Sequence, residues 1–126
     1  MNMEEESKKW IEKAEEDLDT ARYNIKGNKI NASLLFLQQS SEKALKAVYI
    51  KKFNKLLKVH DLVLLAKKVD APEKIIEFCK ELTPAYQYTR YPDVEMVNNP
   101  KTLVSKFLKF NEEILKWAKE KILSNK

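Results

Sequence analysis

The hydrophobic pattern near the start of the chain has the period of a helix. Apolar residues follow one another at steps of four and three, which places them on one face of a helix from about Glu4 to Lys26: Trp10, Ala14, Leu18, Ala21 and Ile25. Gly27 and Asn28 come directly afterwards, and both residue types commonly end helices. The pattern therefore predicts a first long helix with a single apolar face.

The next segment, from about Ile30 to Phe53, divides at helical spacing into an apolar half and a polar half. The apolar half contains Leu34, Leu37, Ala44, Leu45, Ala47 and Val48, together with Ser33, Ser40 and Ser41. The polar half contains Gln38, Gln39, Glu42, Lys43 and Lys46. Small residues share a narrow strip of the apolar half, which would let another helix approach closely: Ser33, Ser40, Ala44 and Ala47. We expect this segment to be the central helix of a bundle.

Two short helices are predicted after the central one. Asp61 can cap a helix over residues 62–69. Asp70 and Glu73 resemble a capping pair that opens a helix over residues 72–82.

The last part of the chain predicts a short turn and then a long helix. Thr83-Pro84 is a start signal for a further turn of helix over residues 85–89, and Pro92 should end it in a connecting segment. Asn99 and Pro100 resemble a cap and a first helical residue. An apolar stripe then continues towards the end of the chain: Leu103, Phe107, Phe110, Ile114 and Trp117.

Composition supports the same fold class. The 126 residues fit one domain, residues 1–126, and include a single glycine, four prolines, 44% hydrophobic and 34% charged residues. Architectures with many turns use more glycine than this. We predict an all-α fold, an antiparallel up-and-down helical bundle with three long and two short helices.

Charge and cysteine content narrow the functional classes. The single Cys79 excludes an intrachain disulfide, and the absence of a Cys/His cluster predicts no metal site. We also expect no cofactor. No run approaches the roughly 18 apolar residues of a membrane span, so we expect a cytoplasmic protein. The net charge of +5 is compatible with nucleotide or RNA partners. Abundant Lys, Glu and Ile are typical of thermophile proteins.

Four sequence strings follow one another along the chain. The first helix contributes Trp10, Ala14, Asp17-Leu18 and Ala21; the others are QQSSEKALKAVY on the second helix, HDL at residues 60–62 and RYPD at residues 90–93. Together, and in this order, they resemble the HEPN (higher eukaryotes and prokaryotes nucleotide-binding) domain family. The resemblance covers roughly Trp10 to Pro100. It implies a helical homodimer, often encoded beside a small nucleotidyltransferase, with a polar cleft near the dimer interface.

Many members of this family resemble ribonuclease toxins of toxin–antitoxin pairs. Those members carry an arginine followed four to six residues later by a histidine on one helix. This chain departs from that pattern, because no histidine follows Arg22 or Arg90 at this spacing and the single histidine, His60, precedes Arg90. The nuclease motif of those members is therefore absent from this sequence.

Four polar residues of the second helix form the first candidate ligand site. Gln39, Glu42, Lys43 and Lys46 share one stripe, so their side chains can form one polar surface. The alternative is a solvated face with a Glu-Lys pair, which would contribute little to stability.

His60 is a candidate catalytic residue. Histidine titrates near neutral pH and is therefore suited to proton transfer. The alternative is a hydrogen bond to a neighbouring turn. If His60 faced Arg90 in the fold, a base and an oxyanion-stabilising group would share one pocket.

Arg90 is the second catalytic candidate and, with Tyr91 and Asp93, a ligand-binding candidate. The planar guanidinium group can bind a phosphate or a carboxylate through two hydrogen bonds. Tyr91 could stack on a base. Alternatively, Arg90 holds the connecting segment through Asp93, Glu42 or an opposing subunit.

Three functional hypotheses follow from the residues and the resemblance. The first is a non-catalytic homodimer that binds a nucleotide, RNA or a nucleotidyltransferase partner through the second helix and the RYPD segment. The second is a metal-independent ribonuclease that uses His60 and Arg90. The third is a purely structural interaction module.

Overall fold

The computed structural model describes residues 3–84 and 100–123. These residues form five α-helices: α1 (Met3–Lys26), α2 (Ile30–Phe53), α3 (Leu62–Lys68), α4 (Glu73–Leu82) and α5 (Pro100–Leu123). The predicted all-α bundle with three long and two short helices is confirmed. None of the five helices is both long enough and apolar enough to cross a membrane. The predicted turn at 85–89, the connection at Pro92 and the Asn99 cap lie outside the described residues.

The turn between α1 and α2 lies where the sequence predicts it. α1 ends at Lys26, and Lys29 N donates to Asn24 O at 2.9 Å. Asn28 adopts the left-handed conformation with φ of 57°, whereas Gly27 does not. Asparagine tolerates this conformation better than most residues, so it takes the role that glycine often has at a helix end.

The small-residue strip of α2 packs against α1. Ser40 Oγ donates to Ala14 O at 2.6 Å, and Ser7 Oγ donates to Ala47 O at 3.0 Å. All four of these residues are completely buried. Because Ser7 pairs with the later part of α2 and Ala14 with an earlier part, the two helices are antiparallel. The predicted close approach is confirmed, and it takes place within one chain.

Helix α5 completes the core on another side of α2. Asn111 Nδ2 donates to Ser41 Oγ at 2.9 Å, and Lys51 Nζ donates to Ile122 O, so α5 runs parallel to α2. It runs antiparallel to α1, because Arg22 pairs with Glu112 and Glu15 pairs with Lys119. Of the predicted α5 stripe, Leu103, Phe107 and Ile114 are buried, and Phe110 and Trp117 are partly buried.

Helix α4 packs against α5 through two stacked rings with an ion pair at either end. The rings of Phe78 and Phe110 stack with centroids 4.1 Å apart. Lys74 pairs with Glu113 at 3.1 Å at one end of the stack, and Lys106 pairs with Glu81 at 2.5 Å at the other. These pairs make α4 and α5 antiparallel.

One predicted cap is confirmed and the other is wrong. Asp61 caps α3, because its carboxylate accepts from Leu64 N at 3.0 Å. Asp70 does not cap α4, which begins after Pro72 without a side-chain cap. Asp70 instead has a left-handed φ of 55° and pairs with Lys52 of α2. Its backbone forms part of the turn that ends α3, because Asp70 N donates to Lys67 O at 3.1 Å.

The segment between α2 and α3 runs back along α2. His60 contacts Glu42, near the middle of α2, whereas Asp70 at the far end of α3 contacts Lys52, near its end. Residues 54–59 therefore reverse the chain direction and return it towards the middle of α2. This reversal begins at Asn54, which is left-handed with φ of 57°.

We expect substitutions of Asn111 to separate its packing role from its polar role. Its side chain is buried between α2 and α5, and Oδ1 has no hydrogen-bond partner. Asn111→Ala should lower the free energy of unfolding by about 1–3 kcal/mol, because it leaves a cavity. Asn111→Leu should be nearly neutral or stabilising, because it fills the space and removes an unpaired acceptor. Denaturant unfolding measures both. An equal loss of unfolding free energy in the two variants would show that the hydrogen bonds donated by Nδ2 stabilise the fold by more than the unpaired Oδ1 destabilises it.

Candidate functional site

The polar stripe of α2 borders a pocket of about 360 Å³. All four stripe residues predicted from the sequence line this pocket, and so does His60. The pocket is lined by Trp10, Gln38, Gln39, Glu42, Lys43, Lys46 and His60. Its volume lies in the range of small-molecule sites, about 300–1,000 Å³.

Glu42 connects the two sides of the pocket. Its Oε2 accepts from Lys46 Nζ at 3.1 Å and from His60 Nδ1 at 2.9 Å. The side chains of Glu42 and Lys46 are only 11% and 6% exposed. The predicted Glu-Lys pair therefore exists, but the prediction of a solvated face is wrong for both of its members. Helix packing around α2 leaves less of its surface to water than the sequence pattern indicates.

His60 reaches the pocket because the chain reverses after α2. Its partner is Glu42 on another helix, so the prediction of a hydrogen bond to a neighbouring turn is wrong. An ionised carboxylate only accepts hydrogen bonds, which assigns the proton to Nδ1 and leaves the lone pair of the neutral ring on Nε2. The His60 side chain is 79% exposed, so this pair lies at the mouth of the pocket.

Asp17 is a contributor that the candidate residues from the sequence do not include. Its Oδ2 accepts from Lys43 Nζ at 2.6 Å, and the Asp17 side chain is mostly buried. The only signal in the sequence is its place in the Asp17-Leu18 string that resembles the family. The pairing itself joins residues 26 positions apart and depends on the packing of α1 on α2.

Trp10 and Gln38 are further lining residues outside the predicted set. By its spacing, Trp10 is expected in the core or at a dimer contact, but it is only partly buried and forms one wall of the pocket. The ammonium group of Lys46 lies 5.5 Å from the centroid of the Trp10 ring, which is a cation–π distance. Gln38 is buried. It precedes Glu42 and Lys46 at steps of four, a spacing that could have identified it.

Other predicted site residues lie outside the described part of the chain. Arg90, Tyr91 and Asp93 belong to the segment 85–99, so their roles and any contact of Arg90 with His60 stay predictions. The second arginine, Arg22, pairs with Glu112 at 2.8 Å and thereby joins α1 to α5. Burial raises the pKa of the Cys79 thiol to about 12, with a smaller contribution from the charge of Asp61, so this thiol is not a nucleophile near neutral pH.

Comparisons with known proteins agree with this fold. The model of the HEPN domain family matches residues 7–122. The crystal structure of TT1696 from Thermus thermophilus matches with a TM-score of 0.82 and 25% identity, covering 96% of this chain and 99% of that one. ST0689, described as an archaeal HEPN homologue, matches with a TM-score of 0.76 and 27% identity, covering 92% and 97%.

A third similar structure is more distant in sequence. A HEPN domain protein from Thermotoga maritima shares the fold with a TM-score of 0.69 and 18% identity, over 88% of this chain and 94% of that one. No curated protein matches the chain. The family match includes every residue that lines the pocket. The protein therefore belongs to the HEPN domain family, as its four sequence strings indicate.

Proposed function

We propose that the protein is a homodimeric HEPN domain that binds a nucleotide, free or as part of RNA, in the pocket beside α2, without catalysis of its own. One observation carries the proposal. A buried Glu42–Lys46 pair, together with two glutamine side chains, opens onto a pocket that has a tryptophan wall.

The energetics of the ion pair support a binding role. Removing two charges from water has a desolvation cost that their attraction often fails to offset, so a buried pair is weak evidence for stability. Glu42 and Lys46 nevertheless lie inside the protein and line a pocket of ligand size. Ligand sites usually combine apolar walls with a few placed polar or charged groups, and this pocket has both.

The lining chemistry fits a nucleotide. A tryptophan ring can stack on a base, and glutamine and glutamate can bond to base edges. Residues 90–93 are proposed to take part, as the sequence predicts. The resemblance to the family adds a small nucleotidyltransferase as the proposed protein partner, in a toxin–antitoxin pair. A cytoplasmic location and a thermophilic source stay predictions.

A ribonuclease is the second candidate, and one contact favours it. The hydrogen bond between Glu42 and His60 Nδ1 is the arrangement that orients an imidazole for proton transfer at Nε2. Lys46 lies beside the same carboxylate and could stabilise a developing negative charge. In the ribonuclease hypothesis drawn from the sequence, Arg90 would stabilise that negative charge.

We expect nucleotide affinity to depend on Trp10 and not on Trp117. The chain has two tryptophans, both partly buried, and Trp117 lies on α5 outside this pocket. Trp10→Ala should weaken nucleotide binding by about 1–3 kcal/mol, roughly 5- to 150-fold, because a stacking surface is lost. Trp117→Ala is the matched control and should keep the affinity of the original protein. Calorimetric titration measures both. The proposal would be contradicted if the original protein bound no nucleotide, or if both variants lost nucleotide affinity equally.

We expect the purified protein not to cleave RNA, because the Arg-to-His spacing of the nuclease members is missing. Incubation with structured and unstructured RNA, followed by gel analysis, tests this. Cleavage that is lost in His60→Ala and in Glu42→Gln, yet kept in a Lys80→Ala control, would establish the ribonuclease instead. Lys80 is exposed and pairs with Glu77 on α4, outside the pocket.

We expect light scattering to report about twice the chain mass of 14.8 kDa. The small-residue strip of α2 does not support this expectation, because α1 of the same chain covers it. The support comes from the family, because HEPN domains commonly form dimers. A monomer at micromolar concentration would contradict the homodimer.

A further inference from the structure

The charges around the pocket cancel in pairs. Lys43 Nζ lies 2.6 Å from a carboxylate oxygen of Asp17, and Lys46 Nζ lies 3.1 Å from one of Glu42. Among the described residues, these two lysines are the cationic side chains that line the pocket, apart from any charge on His60. A phosphate that bound either ammonium group would approach a carboxylate of like charge at the same time.

Lys46 is further restricted by its surroundings. Its ammonium group lies over the ring of Trp10, and its side chain is almost fully buried against Glu42. A buried lysine held by a carboxylate and an aromatic ring has few directions left for a ligand. Its main effect is to hold the Glu42 carboxylate and the Trp10 ring in fixed positions.

The groups that line the rest of the pocket are those that recognise a base. Gln38 and Gln39 each offer a donor and an acceptor, which matches the edge of a purine. The Glu42 carboxylate can accept from an exocyclic amino group, as acidic side chains do from the N4 amino group of cytosine. Trp10 offers a face for stacking.

We propose that the pocket recognises the base of its ligand, prefers bases with an exocyclic amino group, and leaves the phosphate outside. This inference rests on the proposed nucleotide binding and names the part of the ligand that the pocket reads. Uracil is disfavoured, because it has no amino group. Its one donor on that edge, N3–H, lies between two carbonyl oxygens that the Glu42 carboxylate would repel. Adenine, cytosine and guanine each offer an amino group to that carboxylate.

Titration with ligand fragments tests the inference. The probes are adenosine, cytidine, uridine, adenosine 5′-monophosphate and ribose 5-phosphate. Adenosine should bind within about threefold of its monophosphate, and ribose 5-phosphate should not bind. Uridine should bind at least about tenfold more weakly than cytidine, as for one unmatched hydrogen-bonding group. The affinity for short RNA should change little between about 50 and 200 mM salt, whereas binding driven by several phosphate contacts falls steeply over that range.

Exchange of the carboxylate for an amide gives the sharpest test. Glu42→Gln keeps the shape of the side chain and adds a donor, so it should reduce the preference of cytidine over uridine to less than about threefold. Glu77→Gln, an exposed carboxylate on α4, is the matched control and should keep the preference. If Glu42→Gln does not fold, Gln39→Ala should still weaken adenosine binding about tenfold without removing a charge, as for a lost hydrogen bond.

The possible failures are distinguishable. Binding of the monophosphate and of ribose 5-phosphate, without binding of adenosine, would overturn the base-recognition inference and leave the proposed nucleotide binding in place. Equal binding of uridine and cytidine would overturn the amino-group preference. Failure of every probe, including the monophosphate and short RNA, would overturn the proposed function itself.

Discussion

The close packing of α1 on α2 is the constraint on which the rest of the structure depends. Serine hydroxyls bond to backbone carbonyls across the contact, at Ser7 with Ala47 and at Ser40 with Ala14. Each bond satisfies a hydroxyl group that would otherwise be buried without a partner, and small side chains make the short distance possible. This contact also brings Trp10 and Asp17 of α1 to the lysines of α2. The pocket is therefore a consequence of how the two helices meet.

Glu42 has the corresponding role within the pocket. One of its oxygens accepts from Lys46 on its own helix and from His60 on the segment that returns along α2. Lys46 holds this carboxylate from inside the protein, and His60 holds it from the surface. The same carboxylate would orient a catalytic imidazole in a ribonuclease and would accept from a base in a binding protein. The two functions therefore differ in whether His60 Nε2 transfers a proton.

Where the predictions from sequence fail, a long-range contact has replaced a local one. Asp70 has the residue type and spacing of a cap for α4, but its backbone ends α3 and its side chain pairs with Lys52 of α2. His60 has a turn beside it, but its partner lies 18 positions earlier in the chain. The polar half of α2 has the composition of a solvated face, but Gln38, Glu42 and Lys46 are buried.

The sequence by itself determined the helices, their order and the family. The bounds of α2, the cap at Asp61 and the stop after Lys26 follow from periodicity and from residue types that act over one helical turn. It also placed Gln39, Glu42, Lys43 and Lys46 on one stripe, because helical spacing alone decides which side chains are neighbours. Only the tertiary structure decided which helix faces that stripe, that Trp10 and Asp17 belong to the site, and that His60 reaches Glu42. These contacts join residues 18 to 36 positions apart, and their formation depends on packing and chain reversal, which local side-chain preferences do not specify.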